Sequence, residues 1–431
     1  MPPSIISPSA GRPPKSAFAF GRRFRNYSLG TLLTVIVFGL LTLYSAGQTD
    51  VPTRAAGVWY RQFFWFVLGI VAGWAVFHVS LRLLEWLAPA LYAFSLALLG
   101  IVLVVGTGAG TAQSSHSWLS IGGHQIGQPS ELAKVATVLM LARYLSSRKE
   151  PPRSLRDLLV PGLIVGVPFL LVLKQPDLGS AIVFIGIAFA MLFWSGVRPR
   201  LLFMVASPGL SLLLAFSNWA WGAWIVGFTA LLLLWRPYLY DSLGVWFANV
   251  AMGAIALPLW KRLEPYQQNR LLTFLNPEAD PRAAGYHAIQ SRVAIGSGGW
   301  FGTGYTQGPQ KRLAFLPEQH TDFVFPIVGE ELGFIGVMVA LSLFLALFLA
   351  LLRIARRATD SFSSLVTFGI LGLLFTHVFE NVGMTVNLMP ITGIPLPFFS
   401  YGGSFFIICS LCLGLAFRVA WDSRQSGYPD I

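Results

Sequence analysis

Long apolar runs separated by short polar intervals dominate the chain. A helix needs about 20 apolar residues to cross roughly 30 Å of hydrocarbon. By that measure twelve candidate spans stand out, near 28–47, 58–79, 84–105, 131–146, 157–173, 179–196, 201–216, 219–236, 242–260, 323–352, 362–382 and 401–419. The region 201–260 has the softest boundaries. The longest polar interval, 276–336, carries Arg282, Arg292, Lys311, Arg312, His320 and Asp322, then runs into the tenth span. The pattern predicts an all-α polytopic membrane protein of about twelve transmembrane helices, with one large loop over about 261–322.

Composition agrees with the pattern. Of 431 residues 55% are hydrophobic and 11% charged, with a mean hydropathy of +0.65. A soluble domain is about 25% charged. The net charge of +12 lies mostly in short clusters between apolar runs. No basic helix is interleaved with aromatics, which argues against nucleic acid as a partner. The clusters orient the chain by the positive-inside rule. Residues 1–26, rich in Pro, Ser and Arg, read as a disordered cytoplasmic tail held inside by Arg22, Arg23 and Arg25. The basic loops 146–156, 197–200 and 353–359 and the tail 421–431 fall on the same side. The run after the first cluster is long enough to span, unlike the short core of a cleavable signal. The loop 261–322 is basic yet faces outward, and long loops translocate largely regardless of charge. It is either an ordinary solvated loop or a cationic surface for a lipid-borne anion.

Two other stretches share its face. Residues 106–130 form a Gly- and Ser-rich loop with Trp118. Residues 383–404 are nearly uncharged but rich in Pro and Gly, which predicts an embedded irregular loop, buried in protein or lining a wet cavity. Three such loops on one face predict a cavity open to the outside.

Candidate chemistry gathers there. Asp322 stands at the mouth of the tenth span, where an acid is either a helix cap or a general base whose pKa burial raises. Glu131 and Lys134 are three apart on one helical face. Such a pair is worth a few tenths of a kcal/mol in water, but ionisable groups inside a membrane are functional hypotheses by default. Glu330 and Glu331 need partners or water two turns into their span. Asp177 reads as a helix cap and a weaker site candidate, and Glu380-Asn381 as a polar pair beside the Pro/Gly loop. His320 is the histidine nearest the chemistry; His116, His124 and His287 show no metal spacing. The Gly-rich run 296–304 lacks the preceding strand and following Lys of a phosphate loop, so its glycines read as turns and close backbone approaches. Cys409 and Cys412 share a helix face without a metal-ligand partner and read as packing residues.

Four stretches, in order, resemble the SEDS family of cell-wall polymerases (shape, elongation, division and sporulation). They are Gln128-Pro129-Ser130-Glu131-Leu132-Ala133-Lys134, Gln175-Pro176-Asp177-Leu178-Gly179, residues 276–336, and residues 390–404. The forms Ala284-Gly285-Tyr286-His287 and Phe315-Leu316-Pro317-Glu318-Gln319-His320-Thr321-Asp322-Phe323 are closer to the RodA branch, serving elongation, than to the FtsW branch, serving division. The resemblance covers about 28–420, within one transmembrane domain spanning 27–420. It implies a peptidoglycan glycosyltransferase in the bacterial cytoplasmic membrane that polymerises lipid II at the outer face. It carries the family's essential acid onto Asp322 as base. It places Lys134, Arg270 and Arg312 as cations for the pyrophosphate leaving group, with Glu131 orienting Lys134, and Trp118 and His320 at the substrate. Asp177, Glu330 and Glu331 are structural or cavity-lining. A class B penicillin-binding protein is the implied partner, in a setting of membrane lipid. No cofactor is assigned, and a divalent cation is left open. Two departures stand out. The family has ten spans, so the hairpin at about 217–260 is extra. Ser117 stands where family members commonly carry Arg.

Three other readings use the same features. A lipid II flippase needs the cavity and its cations but no base. A non-enzymatic scaffold needs neither. A small-solute transporter would normally show internal symmetry between its halves, and 276–336 has no repeat elsewhere.

Overall fold

The computed structural model describes residues 15–425 except 52, 54, 108–116, 122–123, 264, 280–284 and 317. Fifteen α-helices follow in order among the described residues: α1 (Lys15–Ala46), α2 (Val58–Phe77), α3 (Leu81–Val105), α4 (Pro129–Ser147), α5 (Leu159–Lys174), α6 (Leu178–Trp194), α7 (Pro199–Leu214), α8 (Asn218–Trp235), α9 (Leu239–Arg262), α10 (Pro265–Leu275), α11 (Tyr286–Ser297), α12 (Pro309–Arg312), α13 (Val324–Arg356), α14 (Ser361–Thr385) and α15 (Gly403–Gln425). A helix lies over each of the twelve expected runs. Eight helical segments among the described residues are long and apolar enough to cross a membrane, and Gly30–Ala46, α6 and α7 are shorter apolar helices. The chain is an all-α polytopic membrane protein. Among the described residues the one sheet is the small hairpin of β1 (Leu119–Ile121) and β2 (His124–Gly127).

Two helix ends differ from the sequence reading. Helix α1 begins at Lys15, inside the stretch 1–26 expected to be a disordered tail; residues 1–14 lie outside the described residues. Residues 15–26 hold mostly Ala, Arg, Lys and Phe, through which a nucleated helix extends at little cost. Helix α15 likewise runs on to Gln425, into the expected tail. The large loop is no open coil. It contains α10, α11, α12 and the short 3-10 turn Pro277–Ala279. Helix α11 buries Ala288, Ser291 and Ala294 at three-residue spacing, the stripe a helix uses to pack, and it lies against α13 and α14.

The bundle is centred on α14, which packs against α4, α6, α13 and α15 and buries residues on every side. Helices α7, α8 and α9 form a flank with its own small core of Met204, Phe228, Leu232 and Val245. Asn249 knits the flank together. Its Nδ2 donates to Ser207 Oγ at 2.8 Å, and its Oδ1 accepts from Trp224 Nε1 at 3.0 Å. The flank is pinned to the bundle where Leu155 N donates to Asp241 Oδ1 at 3.1 Å.

Helix α13 is broken at Gly333, whose φ of 64° and ψ of −161° are not helical. The Gly-rich run 298–304 mends the break. Gly299 O accepts from Phe334 N at 2.9 Å and Trp300 O from Ile335 N at 3.2 Å, while Thr303 N donates to Glu330 O at 2.9 Å. A Cβ at Gly302, itself at φ +82°, would collide with the Glu331 carbonyl. This close approach is why the run is glycine.

Candidate active site

The ends of α4, α6, α13 and α14 and the irregular segment 386–402 meet at one end of the bundle, here called the loop face. Asp322 is at its centre. It lies just before α13, whose N-cap is Phe323, so its carboxylate is not spent on capping. Asn381, buried in α14, donates through Nδ2 to Asp322 O at 2.9 Å and to Ile394 O at 2.7 Å. Ser400 Oγ donates to Thr321 O at 2.5 Å, and Tyr401 N to His320 O at 2.8 Å. Each bond is worth about 1 kcal/mol. Together they clamp residues 320–322 onto 381–401. Gly393, at φ +76°, lets the backbone come so close that a Cβ there would sit 3.2 Å from Asp322 Oδ2.

The electrostatics follow from this packing. Burial pushes the Asp322 carboxyl up to about 7, the Glu318 and Asp177 carboxylates add to the rise, and Arg270 opposes it. A carboxylate poised near neutrality is suited to accept a proton. Arg270 Nη1 donates to Thr392 O at 3.3 Å, which ties α10 to the same segment. His287 is held below the usual histidine range by burial and then by Arg270, and its ring lies 5.6 Å from that of Phe323. Asp177 caps α6 by accepting from Ser180 N at 3.0 Å. Its other oxygen accepts from Gln128 Nε2 at 2.7 Å. Gln128 also donates to Ser117 Oγ at 3.5 Å, and Ser117 is wholly buried.

The remaining sequence candidates occupy distinct places. Lys134 is wholly buried, 2.7 Å from Glu131 Oε1 and 3.0 Å from His377 Nε2. The pair lies within the bundle between α4 and α14, so Lys134 faces protein. Arg312 is half-exposed and pairs with Asp50 at 3.0 Å, on the loop between α1 and α2. Trp118 pairs with Thr107 through the backbone, Thr107 N donating at 2.9 Å. His320 is partly buried with its ring 6.0 Å from Tyr401. Glu330 accepts from Gln310 N at 2.6 Å at the start of α12. Glu331 pairs with the buried Lys311 at 2.6 Å, and both meet Ser45 of α1. Among the described residues no group of three or more His, Cys, Asp or Glu side chains is placed to hold a metal ion.

The structure thus brings Asp322, Asp177, Arg270 and His320 to one region and sets Arg312 against Asp50. It adds Asn381, Ser400, Gln128, Thr392 and His287. Gln128, Thr392 and Ser400 lie in stretches that carry the family resemblance but are not singled out there. Asn381 reads in the sequence as part of a polar pair beside the Pro/Gly loop, where its bond to Ile394 O places it, and His287 as a histidine without metal spacing.

Comparison with known proteins follows this geometry. The family FTSW_RODA_SPOVE, described as Cell cycle protein, matches residues 25–224 and 221–425. The peptidoglycan glycosyltransferase RodA of Treponema pallidum (strain Nichols) is 36% identical over 427 residues, spanning 92% of this chain and 96% of its own. The probable peptidoglycan glycosyltransferase FtsW of Geobacter metallireducens (strain ATCC 53774 / DSM 7210 / GS-15) is 33% identical over 415 residues, spanning 95% and 98%. Identity therefore does not separate the two branches. A solved chain from a peptidoglycan synthase complex, described as structural coordination of polymerization and crosslinking, superposes with a TM-score of 0.67 at 30% identity, covering 92% of this chain and 98% of that one.

Proposed function

This chain belongs to the FtsW/RodA/SpoVE family, and from that premise we propose that it is a peptidoglycan glycosyltransferase with Asp322 as its catalytic base. The observation that carries the reading is Asp322 clamped at the loop face through Asn381 and Ser400, within the field of Arg270. The loop face is extracytoplasmic in this reading, because the opposite end carries the basic loops and positive charge stays inside. Both termini are then cytoplasmic and the helices make twelve crossings, ten of the family core and two from α8 and α9.

The substrate is lipid II, a disaccharide-pentapeptide on undecaprenyl pyrophosphate. Asp322 takes the proton of the acceptor GlcNAc 4-hydroxyl as its oxygen bonds to C1 of the growing strand. The bond from C1 to the pyrophosphate breaks, and undecaprenyl pyrophosphate leaves. One displacement inverts an α-linked donor to a β-linked product, which needs one base. Arg270 is the cation whose charge acts on Asp322 and is assigned to the pyrophosphate, whose charge a guanidinium matches well. Lys134, oriented by Glu131 and His377, and Arg312, held by Asp50, are the further candidate cations for the pyrophosphate. The motif forms favour the elongation branch. A class B penicillin-binding protein supplies cross-linking, in keeping with the synthase complex that the fold matches.

The test uses the purified full chain and lipid II in liposomes, with and without that partner. Glycan strands from the wild type and none from Asp322→Ala support the reading. Lipid II translocation without any polymer would replace it with a flippase.

A further inference from the structure

The depth of the run 298–305 follows from the two helices it is bonded to. Helix α13 is basic at its far end, with Arg353 and Arg356. Gly333 precedes Arg353 by twenty residues, about 30 Å of helix and so about the thickness of the hydrocarbon. With Arg353 marking one boundary of the bilayer core, Gly333 marks the other. The run is bonded to α13 at that level through Phe334 N, Ile335 N and the Glu330 carbonyl. A second helix gives the same depth. Tyr305 donates its hydroxyl to Leu41 O at 2.9 Å. Leu41 lies five residues inside the end of α1 at Ala46, about 8 Å along the axis.

The side chains at this level are apolar and uncovered. Trp300 is 68% exposed and Phe301 81%. Trp300 stacks edge-on against Phe334, with ring centroids 5.1 Å apart. From Phe334 the exposed stripe continues through Ile335, Met338 and Val339 along α13, a helix that must face lipid there. The aromatic pair is therefore continuous with the lipid-facing surface. Backbone can enter the hydrocarbon edge only if its polar groups are bonded within the protein. The bonds to α13 meet that condition at Gly299, Trp300 and Thr303. Aromatic side chains favour this interface.

We propose that the run 298–305 is a membrane anchor, with Trp300 and Phe301 inserted into the lipid leaflet on the loop face, at the boundary of headgroups and acyl chains. It ties the folded loop to the bilayer, on the side from which a lipid-borne substrate must approach. The proposal stands independently of the role of Asp322.

Depth can be measured directly on the full chain in phospholipid nanodiscs. A nitroxide is attached at Phe301→Cys; Cys409 and Cys412 are buried, and unlabelled wild type checks that they stay silent. Met338→Cys serves as the lipid reference and Glu278→Cys, on the exposed loop, as the water reference. Collisions with oxygen and with a water-soluble nickel chelate are compared. Oxygen dominating at 301 as at 338, with nickel dominating at 278, is the expected result. Nickel dominating at 301 would put the run in water. Low access to both would mean that protein, such as a second copy, covers it. Either outcome overturns the proposal. Trp300→Cys gives an independent reading if the first variant fails to fold.

Discussion

Replacing Asp322 by Asn should stabilise the protein, and more so at high pH. Burial raises the carboxyl from 3.8 to about 7 in the folded protein. The unfolded chain therefore releases this proton first, and wild-type stability falls as pH rises from about 4 to 7. At 1.36 kcal/mol per pKa unit the full penalty is about 4 kcal/mol, reached above pH 7. That figure is a ceiling, because the residue keeps some water contact, which screens the charge. Asparagine cannot ionise and escapes the penalty. Thermal unfolding of both proteins in the same detergent, at one scan rate, at pH 5 and pH 8, reads the effect. The variant's advantage in melting temperature should be larger at pH 8 than at pH 5. An equal advantage at both, or a loss at pH 8, would refute the burial of a strained carboxylate at this site.

Other substitutions probe the supports. Lys311→Met leaves Glu331 buried without its partner and should cost about 3–5 kcal/mol, seen as a lower melting temperature; adding Glu331→Leu should recover much of it. Asn381→Leu strips the donor from the half-buried Asp322 O and the buried Ile394 O, at about 1–3 kcal/mol each, and should lower polymerisation at saturating lipid II. Asn249→Leu should lower the melting temperature through the α7–α9 flank by about 1–3 kcal/mol while leaving the polymerisation rate per folded molecule unchanged. Gly302→Ala forces a Cβ against the Glu331 carbonyl at a positive φ and should reduce folded yield in detergent extracts.

Much of the fold was legible because membrane spans are written in hydrophobic length. Even the soft region 201–260 resolved into α7, α8 and α9, since Pro199, Ser217 and Pro237 punctuate the apolar runs. What hydropathy could not convey was order within polar segments. Helix α11 carries a short buried stripe of Ala and Ser, too weakly apolar to register. Asp322 was visible as an acid at a span boundary. Its clamp was not, because Asn381 and Ser400 lie 59 and 78 residues away and act through backbone carbonyls. The reach of the cations was hidden as well. Lys134 and Arg312 read as equivalent positive charges, yet one faces Glu131 and His377 inside the bundle and the other faces Asp50 at its edge.

The most direct measurement is the pH dependence of glycan polymerisation from lipid II by the wild type and Asp322→Asn, at fixed partner and lipid. The base must be ionised to act, so the wild-type rate should climb through an acid limb with a midpoint near 7, and the variant should make no polymer at any pH. A variant that polymerises with the wild-type limb intact would show that the essential proton goes elsewhere.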